Sequence, residues 1–234
     1  ATSSLGYIDW YLQSDLNGQT AVTTVAVNQA TANGLVCLTA AGNLGNDTDP
    51  TTSTIMAPAD AFDVIACGAV DANGSVASFS SSGPTADGRV KPELLARGVG
   101  TATVNSTNTT GISGVSGTSL STPLLAGAVT CVLQARPSFG VAQMRQALFA
   151  TASRTAAGLG TDPLFVQGYG LARSLPAAMH GLAPADLNLD GVVNGADLGI
   201  LFGEWGSAAP TAGDLNGDGT VSGADLGILL TQWS

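Results

Sequence analysis

The sequence predicts an α/β protein built on a parallel sheet, followed by a small all-α unit. Two short runs, LVCLTA at residues 35–40 and VIACGAV at 64–70, are apolar throughout, as expected of strands buried on both faces. Apolar residues recur at helical spacing before and after these runs. The C-terminal residues repeat themselves: setting Asp186 against Asp214 aligns DLNLDGVVNGADLGILFGEW with DLNGDGTVSGADLGILLTQW, and 14 of the 20 positions are identical.

Taken in order, residues 20–33 read as a helix, with Val22, Val25, Ala26 and Ala30 at helical spacing and Asn33-Gly34 as a left-handed stop. The first apolar strand follows. Residues 41–63 are polar and punctuated by Gly and Pro, so a long surface loop is expected before the second strand. After the turn at 71–74, residues 75–100 read as a short strand and an irregular excursion. LLAGAVTCVLQA, residues 124–135, is an apolar helix closed by Pro137, and Val141, Met144 and Leu148 mark one face of another. The stretch up to Ala185 is rich in Gly, Pro and Ala, which places one domain at residues 1–180, a linker at 181–185 and a second domain at 186–234.

The formal net charge of −10, from 7 Lys+Arg against 17 Asp+Glu, excludes a nucleic-acid backbone as partner. Six of those acids, Asp186, Asp190, Asp197, Asp214, Asp218 and Asp225, belong to the repeat. No apolar run approaches the roughly 18 residues of a membrane span, and the N-terminus has neither an initiator Met nor a leader pattern, so the chain is expected to start within a longer protein. Cys37, Cys67 and Cys131 each sit in an apolar stretch and read as small buried thiols, a Cys37–Cys67 disulfide being the alternative.

Residues 117–123 read GTSLSTP. A serine at a glycine-led turn into a helix has an exposed hydroxyl with free backbone N–H groups beside it, as an acyl-transfer nucleophile requires. That serine is Ser119; the other reading is an N-cap serine. A serine nucleophile needs a base, yet the only histidine, His180, lies far downstream in the expected linker.

GTSLSTP resembles the nucleophile segment of subtilisin-like serine peptidases. Three further segments stand in that family's order: Ser4-Leu5-Gly6, AAGN at 40–43, and FSSSGP at 79–84 followed by KPELLARGVG. Arg97 departs from the pattern, standing where the family has a proline. The resemblance implies a three-layer subtilisin-like fold whose N-terminal half is missing, leaving a sheet edge uncovered. Ser119 would be the nucleophile, and its N–H and the Asn43 side chain the oxyanion donors. Ser4, Leu5, Gly6, Ala40, Ala41 and Gly42 would pair with a peptide or protein substrate and wall the first specificity pocket. Because the family's triad runs Asp, His, Ser along the chain, both partners of Ser119 are expected before residue 1, and this chain alone is expected to be inactive.

Each repeat presents oxygen side chains at calcium-loop spacing: Asp186, Asn188 and Asp190 in the first, Asp214, Asn216 and Asp218 in the second. Gly191 or Gly219 permits the sharp turn, Val192 or Thr220 offers a carbonyl, and Asn194 or Ser222 and then Asp197 or Asp225 complete each loop. Ca²⁺ takes 6–8 hard oxygen ligands, and alternate residues of a tightening loop converge on one point. Aspartate rather than the EF-hand glutamate ends each loop, and only one helix follows it. Tandem loop-helix units of this wording resemble the type I dockerin module, which implies two Ca²⁺ sites and a cohesin partner. Together the two resemblances imply an extracellular or cell-surface endopeptidase. The rival readings are an inactive pseudopeptidase scaffold, whose useful part is the calcium module, and a calcium buffer.

Overall fold

A computed structural model of the protein describes residues 1–47, 49–108, 110–207 and 212–234. The chain forms two compact units, Ala1–Ala178 and Met179–Ser234.

The first unit is organised by a four-stranded, all-parallel sheet: β1 (Thr2–Ser3), β2 (Leu38–Ala40), β3 (Ile65–Val70) and β4 (Leu94–Arg97), in that spatial order. Ser3 pairs with Thr39, Leu38 with Ile65, and Cys67 with Leu94. Every residue of β2 and β3 is buried, as their unbroken apolar character demands. An antiparallel hairpin of β5 (Thr101–Val104) and β6 (Ile112–Val115) lies outside the sheet.

Alternate side chains of β3 face opposite cores. Ile65 and Cys67 join Leu38 and Leu94 against α2 (Thr118–Ala135) through Leu125, Val129 and Val132, and against α3 (Val141–Thr151) through Met144 and Leu148. Ala66, between them, belongs to the other face with Leu16, Ala21, Ile55 and Ala57. The short helices α4 (Ser153–Ala156) and α5 (Ser174–Ala178) follow, and Ala177 and Ala178 complete the first core.

Several sequence expectations need correcting. The helix α1 (Val22–Ala32) forms where predicted, but Val22 and Val25 are exposed and its buried residues are Thr24 and Thr31. A polar anchor overrides the apolar pattern: Thr24 donates its hydroxyl to Oδ1 of the buried Asp60 at 2.5 Å. Asp60 also explains why residues 41–63 are not surface throughout. Its Oδ2 accepts the Gly18 N–H at 2.9 Å, and the apolar residues flanking it, Ile55, Ala57, Ala59 and Ala61, are fully buried. Residues 94–97 form the strand that ends the four-strand order, within the stretch expected to hold a short strand and an irregular excursion.

The three thiols are free; Cys37 and Cys67 are buried but Cys131, on the outer side of α2, is exposed. Burial pushes the Cys67 thiol up to about 12, which keeps it protonated and inert. Helix α2, at 18 residues, is also long and apolar enough by length and composition to cross a membrane, an exception to the expectation of no such run. Here its apolar stripe packs on the sheet.

Beneath the sheet lies a buried cation. Lys91, 1% exposed, donates to Glu93 Oε1 at 2.6 Å and to the carbonyls of Ala61 and Val64 at 3.0 and 3.4 Å. Glu93 Oε2 accepts the Ala66 N–H at 2.8 Å, and Arg145 reaches both Val64 O and, at 3.4 Å, Glu93 Oε1. Burial pushes the Lys91 amine down to about 8 against the pull of Glu93, so it stays charged at neutral pH.

The second unit holds α6 (Gly195–Gly203) and α7 (Gly223–Thr231) around a small core of Ala185, Val193, Leu201, Val221 and Leu229. Ala183 and Ala185, read from the sequence as linker, pack within it.

Lys91→Met leaves Glu93 without its shortest donor and removes one of the two side-chain donors from each of the Ala61 and Val64 carbonyls, so it is expected to destabilise the first unit by about 3 kcal/mol. Urea unfolding of the full chain measures this; a loss below about 1 kcal/mol contradicts the assigned role.

Candidate functional site

The site lies where the parallel strands end. Ser4 follows β1 directly, Gly42 and Asn43 lie just beyond β2, and the register Ser3 to Thr39 sets these segments side by side. Opposite them α2 begins at Thr118, with Gly117 ahead of it at φ +156°. The N–H groups of a helix's first turn have no intrahelical acceptor, so they face outward toward these segments. A cleft of about 320 Å³ results, lined by Ser4, Gly6, Asn43, Met56 and Ser119 among others.

Thr118 is the clasp. Its N–H donates to Asn43 Oδ1 at 2.9 Å, and its hydroxyl stands 3.0 Å from the same oxygen and 3.1 Å from Gly42 O while accepting the Gly42 N–H at 3.3 Å. With Oδ1 held there, the carboxamide presents Nδ2 on its other side. A carbon built on Gly117 would stand 3.6 Å from Asn43 Nδ2 and 3.7 Å from Ser119 N, so the two donors flank one small space. Converging donors of this kind can stabilise charge developing on a carbonyl oxygen.

Ser119 and Ser4 are reciprocally bonded. Ser119 Oγ donates to Ser4 O at 3.1 Å and Ser4 Oγ donates to Ser119 O at 2.9 Å. The second bond exists because Pro123 lies inside α2 without an N–H, which leaves the carbonyl four residues earlier, that of Ser119, unclaimed by the helix. A peptide carbonyl cannot take the Ser119 proton, and none of the described cleft-lining residues carries an acid or a base: they are Ser, Gly, Ala, Asn, Leu, Met and Thr. His180 belongs to the second unit.

FSSSGP supports the Asn43 loop from behind. Ser81 Oγ accepts the Leu44 N–H at 3.1 Å, the Phe79 carbonyl accepts the Gly45 N–H at 2.9 Å, and Asn46 donates to the carbonyls of Ala77 and Ser80, both at 2.9 Å. Gly42, at φ +124°, admits no side chain: an added carbon would fall 2.6 Å from Ser81 Oγ and 2.8 Å from Met56 Cγ.

Of the residues singled out in the sequence, Ser4, Gly6, Ala40, Gly42, Asn43 and Ser119 line the cleft together. Leu5 is exposed and Ala41 fully buried; neither lines it. Sequence reasoning missed Thr118 and Met56. The first could have been found as the threonine of GTS beside the serine; the second carries no local signal.

In the second unit the two loops fold alike. Asp186 accepts the N–H groups of Asp190 and Gly191 at 3.1 and 2.8 Å, and Asp214 those of Asp218 and Gly219 at 3.2 and 2.9 Å. Asn188 donates to Asp190, and Asn216 to Asp218, both at 2.8 Å. Asn194 and Ser222 cap α6 and α7, accepting from Ala196 and Ala224. Asp197 and Asp225 complete capping boxes and reach back to the loop starts, the former to Leu187 and Asn188 at 2.7 and 3.1 Å, the latter to Leu215 and Asn216 at 2.9 and 3.1 Å. Burial raises both carboxyls, but the backbone donors together outweigh it and hold them below the usual range. Among the described residues no three acids are gathered as at a metal centre. The donor set itself, three carboxylates, the amide of Asn188 or Asn216, a second amide or a hydroxyl from Asn194 or Ser222, and a loop carbonyl in each copy, suits a hard oxygen-seeking cation.

Comparison with known proteins agrees with this division. Residues 2–170 match the subtilase family and residues 184–232 the dockerin type I domain, a class that binds calcium. Over 151 residues the chain is 37% identical to the human membrane-bound transcription factor site-1 protease, covering 61% of this chain and 13% of that protein. Over 156 residues it is 36% identical to subtilisin DY of Bacillus licheniformis, covering 62% of this chain and 53% of that one. Among solved structures, the prenylagaramide maturation protease PagA superposes with a TM-score of 0.57 at 24% identity, covering 76% of this chain and 60% of that chain. The self-cleaved protease domain of PatA gives 0.54 at 26%, covering 70% and 56%.

The chain therefore belongs to the subtilase family of serine peptidases, and its subtilase region is followed by a dockerin type I domain. It spans between 13% and 53% of the length of these two curated relatives.

Thr118→Val keeps the shape but strands the buried Gly42 N–H without its acceptor. A loss of about 1–3 kcal/mol in thermal or urea unfolding is expected; an unchanged midpoint would show that the hydroxyl is dispensable.

Proposed function

We propose that this chain supplies the nucleophile and the oxyanion-binding half of a secreted, subtilisin-type serine endopeptidase, anchored through its dockerin domain to a cohesin. The observation that carries the reading is the convergence of Ser119 N and Asn43 Nδ2 beside the Ser119 hydroxyl. Ser119 Oγ attacks a peptide carbonyl lying in the cleft, and the oxygen that becomes negative sits between the two donors. The known cost of removing such an asparagine donor in subtilisin is about 10²–10³ in turnover. We assign the imidazole base and its carboxylate partner to polypeptide other than residues 1–234, because the described lining of the cleft is uncharged and the triad order Asp, His, Ser sets the base ahead of the nucleophile, whereas His180 follows Ser119. On binding, the base takes over the Ser119 hydrogen bond now made to Ser4 O.

In the dockerin domain, Asp186, Asn188, Asp190, Val192, Asn194 and Asp197 hold one Ca²⁺, and Asp214, Asn216, Asp218, Thr220, Ser222 and Asp225 a second. The ions neutralise carboxylates crowded into two short loops and fix the starts of α6 and α7. The family match at 184–232 supports this role, and with it an extracellular or cell-surface setting. The uncharged cleft favours one alternative, a pseudopeptidase that serves only as a cohesin-bound scaffold.

Hydrolysis of an unfolded protein substrate by the full-length polypeptide separates the two. Peptidase function predicts that Ser119→Ala lowers turnover by about 10⁶-fold, to background; a full-length protein that cuts nothing supports the scaffold. Calcium titration of the chain, followed by circular dichroism and cohesin capture, is expected to raise the melting temperature of the second unit, and chelation to reverse it. Unfolding indifferent to chelator would contradict the loop assignment.

A further inference from the structure

We infer that the two calcium loops of the second unit are unequal: the Asp214 loop fills at about tenfold lower free calcium than the Asp186 loop, because Leu189 stands where the fold requires a left-handed residue. This rests on the calcium reading above and adds to it the order of filling.

At the ligating positions the copies differ in side-chain donors only by offering Asn194 or Ser222, both neutral oxygens. The fourth position, which ligates nothing, differs more. The same bonds bracket it in each copy. The Asp190 N–H donates to Asn188 Oδ1 at 3.0 Å and the Asp218 N–H to Asn216 Oδ1 at 2.9 Å, and each asparagine donates in turn to the aspartate at 2.8 Å. The backbone between them is left-handed in both, with φ +62° at Leu189 and +75° at Gly217. The conformation therefore belongs to the loop and not to the residue. Glycine adopts it freely, whereas the Cβ of a leucine crowds the following carbonyl oxygen. Leu189 is one of two non-glycine residues with positive φ among the described residues, and it lacks the short polar side chain with which Asn or Asp eases that conformation.

Packing does not offset this strain. Leu187, two residues earlier, packs on the small core of Ala185, Val193, Leu201, Val221 and Leu229, whereas Leu189 is only partly buried and is not part of it. The second loop is also held by one more internal bond. Asp214 accepts the N–H groups of Gly217, Asp218 and Gly219, while Asp186 accepts those of Asp190 and Gly191. Where a site is built as its ion binds, the cost of ordering the loop is subtracted from the binding free energy, so strain at one position weakens that loop alone. At intermediate calcium the start of α7 is fixed before that of α6, which makes the first loop the calcium-responsive half of the module.

The test is a calcium titration of the whole chain, followed by nuclear magnetic resonance at the Gly191 and Gly219 amides. These N–H groups bond to Asp186 and Asp214 at 2.8 and 2.9 Å and report the two loops separately. The Gly219 amide is expected to reach its midpoint at about tenfold less calcium than the Gly191 amide. Leu189→Gly, and Leu189→Asn, which tolerates the same backbone without the entropy cost of glycine, should each bring the midpoints to within about threefold. Gly217→Leu should raise the Gly219 midpoint by about tenfold. Coincident midpoints in the native chain, a reversed order, or a gap that neither Leu189 variant narrows overturns the inference while calcium binding stands. Amides that calcium leaves unmoved overturn the calcium reading and this inference with it.

Discussion

The hydrogen bonds of Thr118 are the constraint on which the cleft depends. They tie the first turn of α2 to the loop leaving β2, two elements 75 residues apart in sequence. Strand ends and helix starts are ordinarily the parts of an α/β layer least determined by packing. Here one buried threonine fixes both, and with them the Asn43 carboxamide, the Gly42 backbone and the direction in which Ser119 faces. The apolar core under α2, through Leu125, Val129 and Val132, sets where the helix lies, and the Thr118 clasp ties its first turn to the loop.

Around that clasp the parts divide their labour. Gly42 lets Ser81 and Met56 approach the loop, FSSSGP holds its rear, and Pro123 releases a helix carbonyl that the Ser4 hydroxyl takes up. Each is a backbone-level device, and none introduces charge into the cleft. A pre-set, neutral donor pair is suited to an anion that exists only during reaction, since it spends nothing on reorganising when the charge appears.

What was legible in the sequence follows from how local its cause is. Strands β2 and β3 could be read because burial on both faces forces an unbroken apolar run, and Ser119 and Asn43 because each sits in a segment of characteristic wording. The buried face of α1 could not, since Thr24 is drawn inward by Asp60, which lies 36 residues away. Strand β4 was hidden because it ends in Arg97 and follows a long polar stretch. Thr118 and Met56 matter through contacts across the cleft that no local pattern records. The repeat was plain from its wording, yet its carboxylates are folded onto backbone N–H groups and not onto one another, a preference that spacing alone does not reveal.

Lys91 adds something of a different kind. Its ammonium sits among two main-chain carbonyls and a carboxylate, the company a bound metal ion would keep, but it is fastened to the chain by its own side chain. Such a cation has no dissociation constant, so neither dilution nor chelation can empty its place. The first unit thereby carries an internal counter-ion that no chelator can remove and that only a rise in pH past about 8 discharges, whereas the donors of the second unit are of the kind that take their cations from solution.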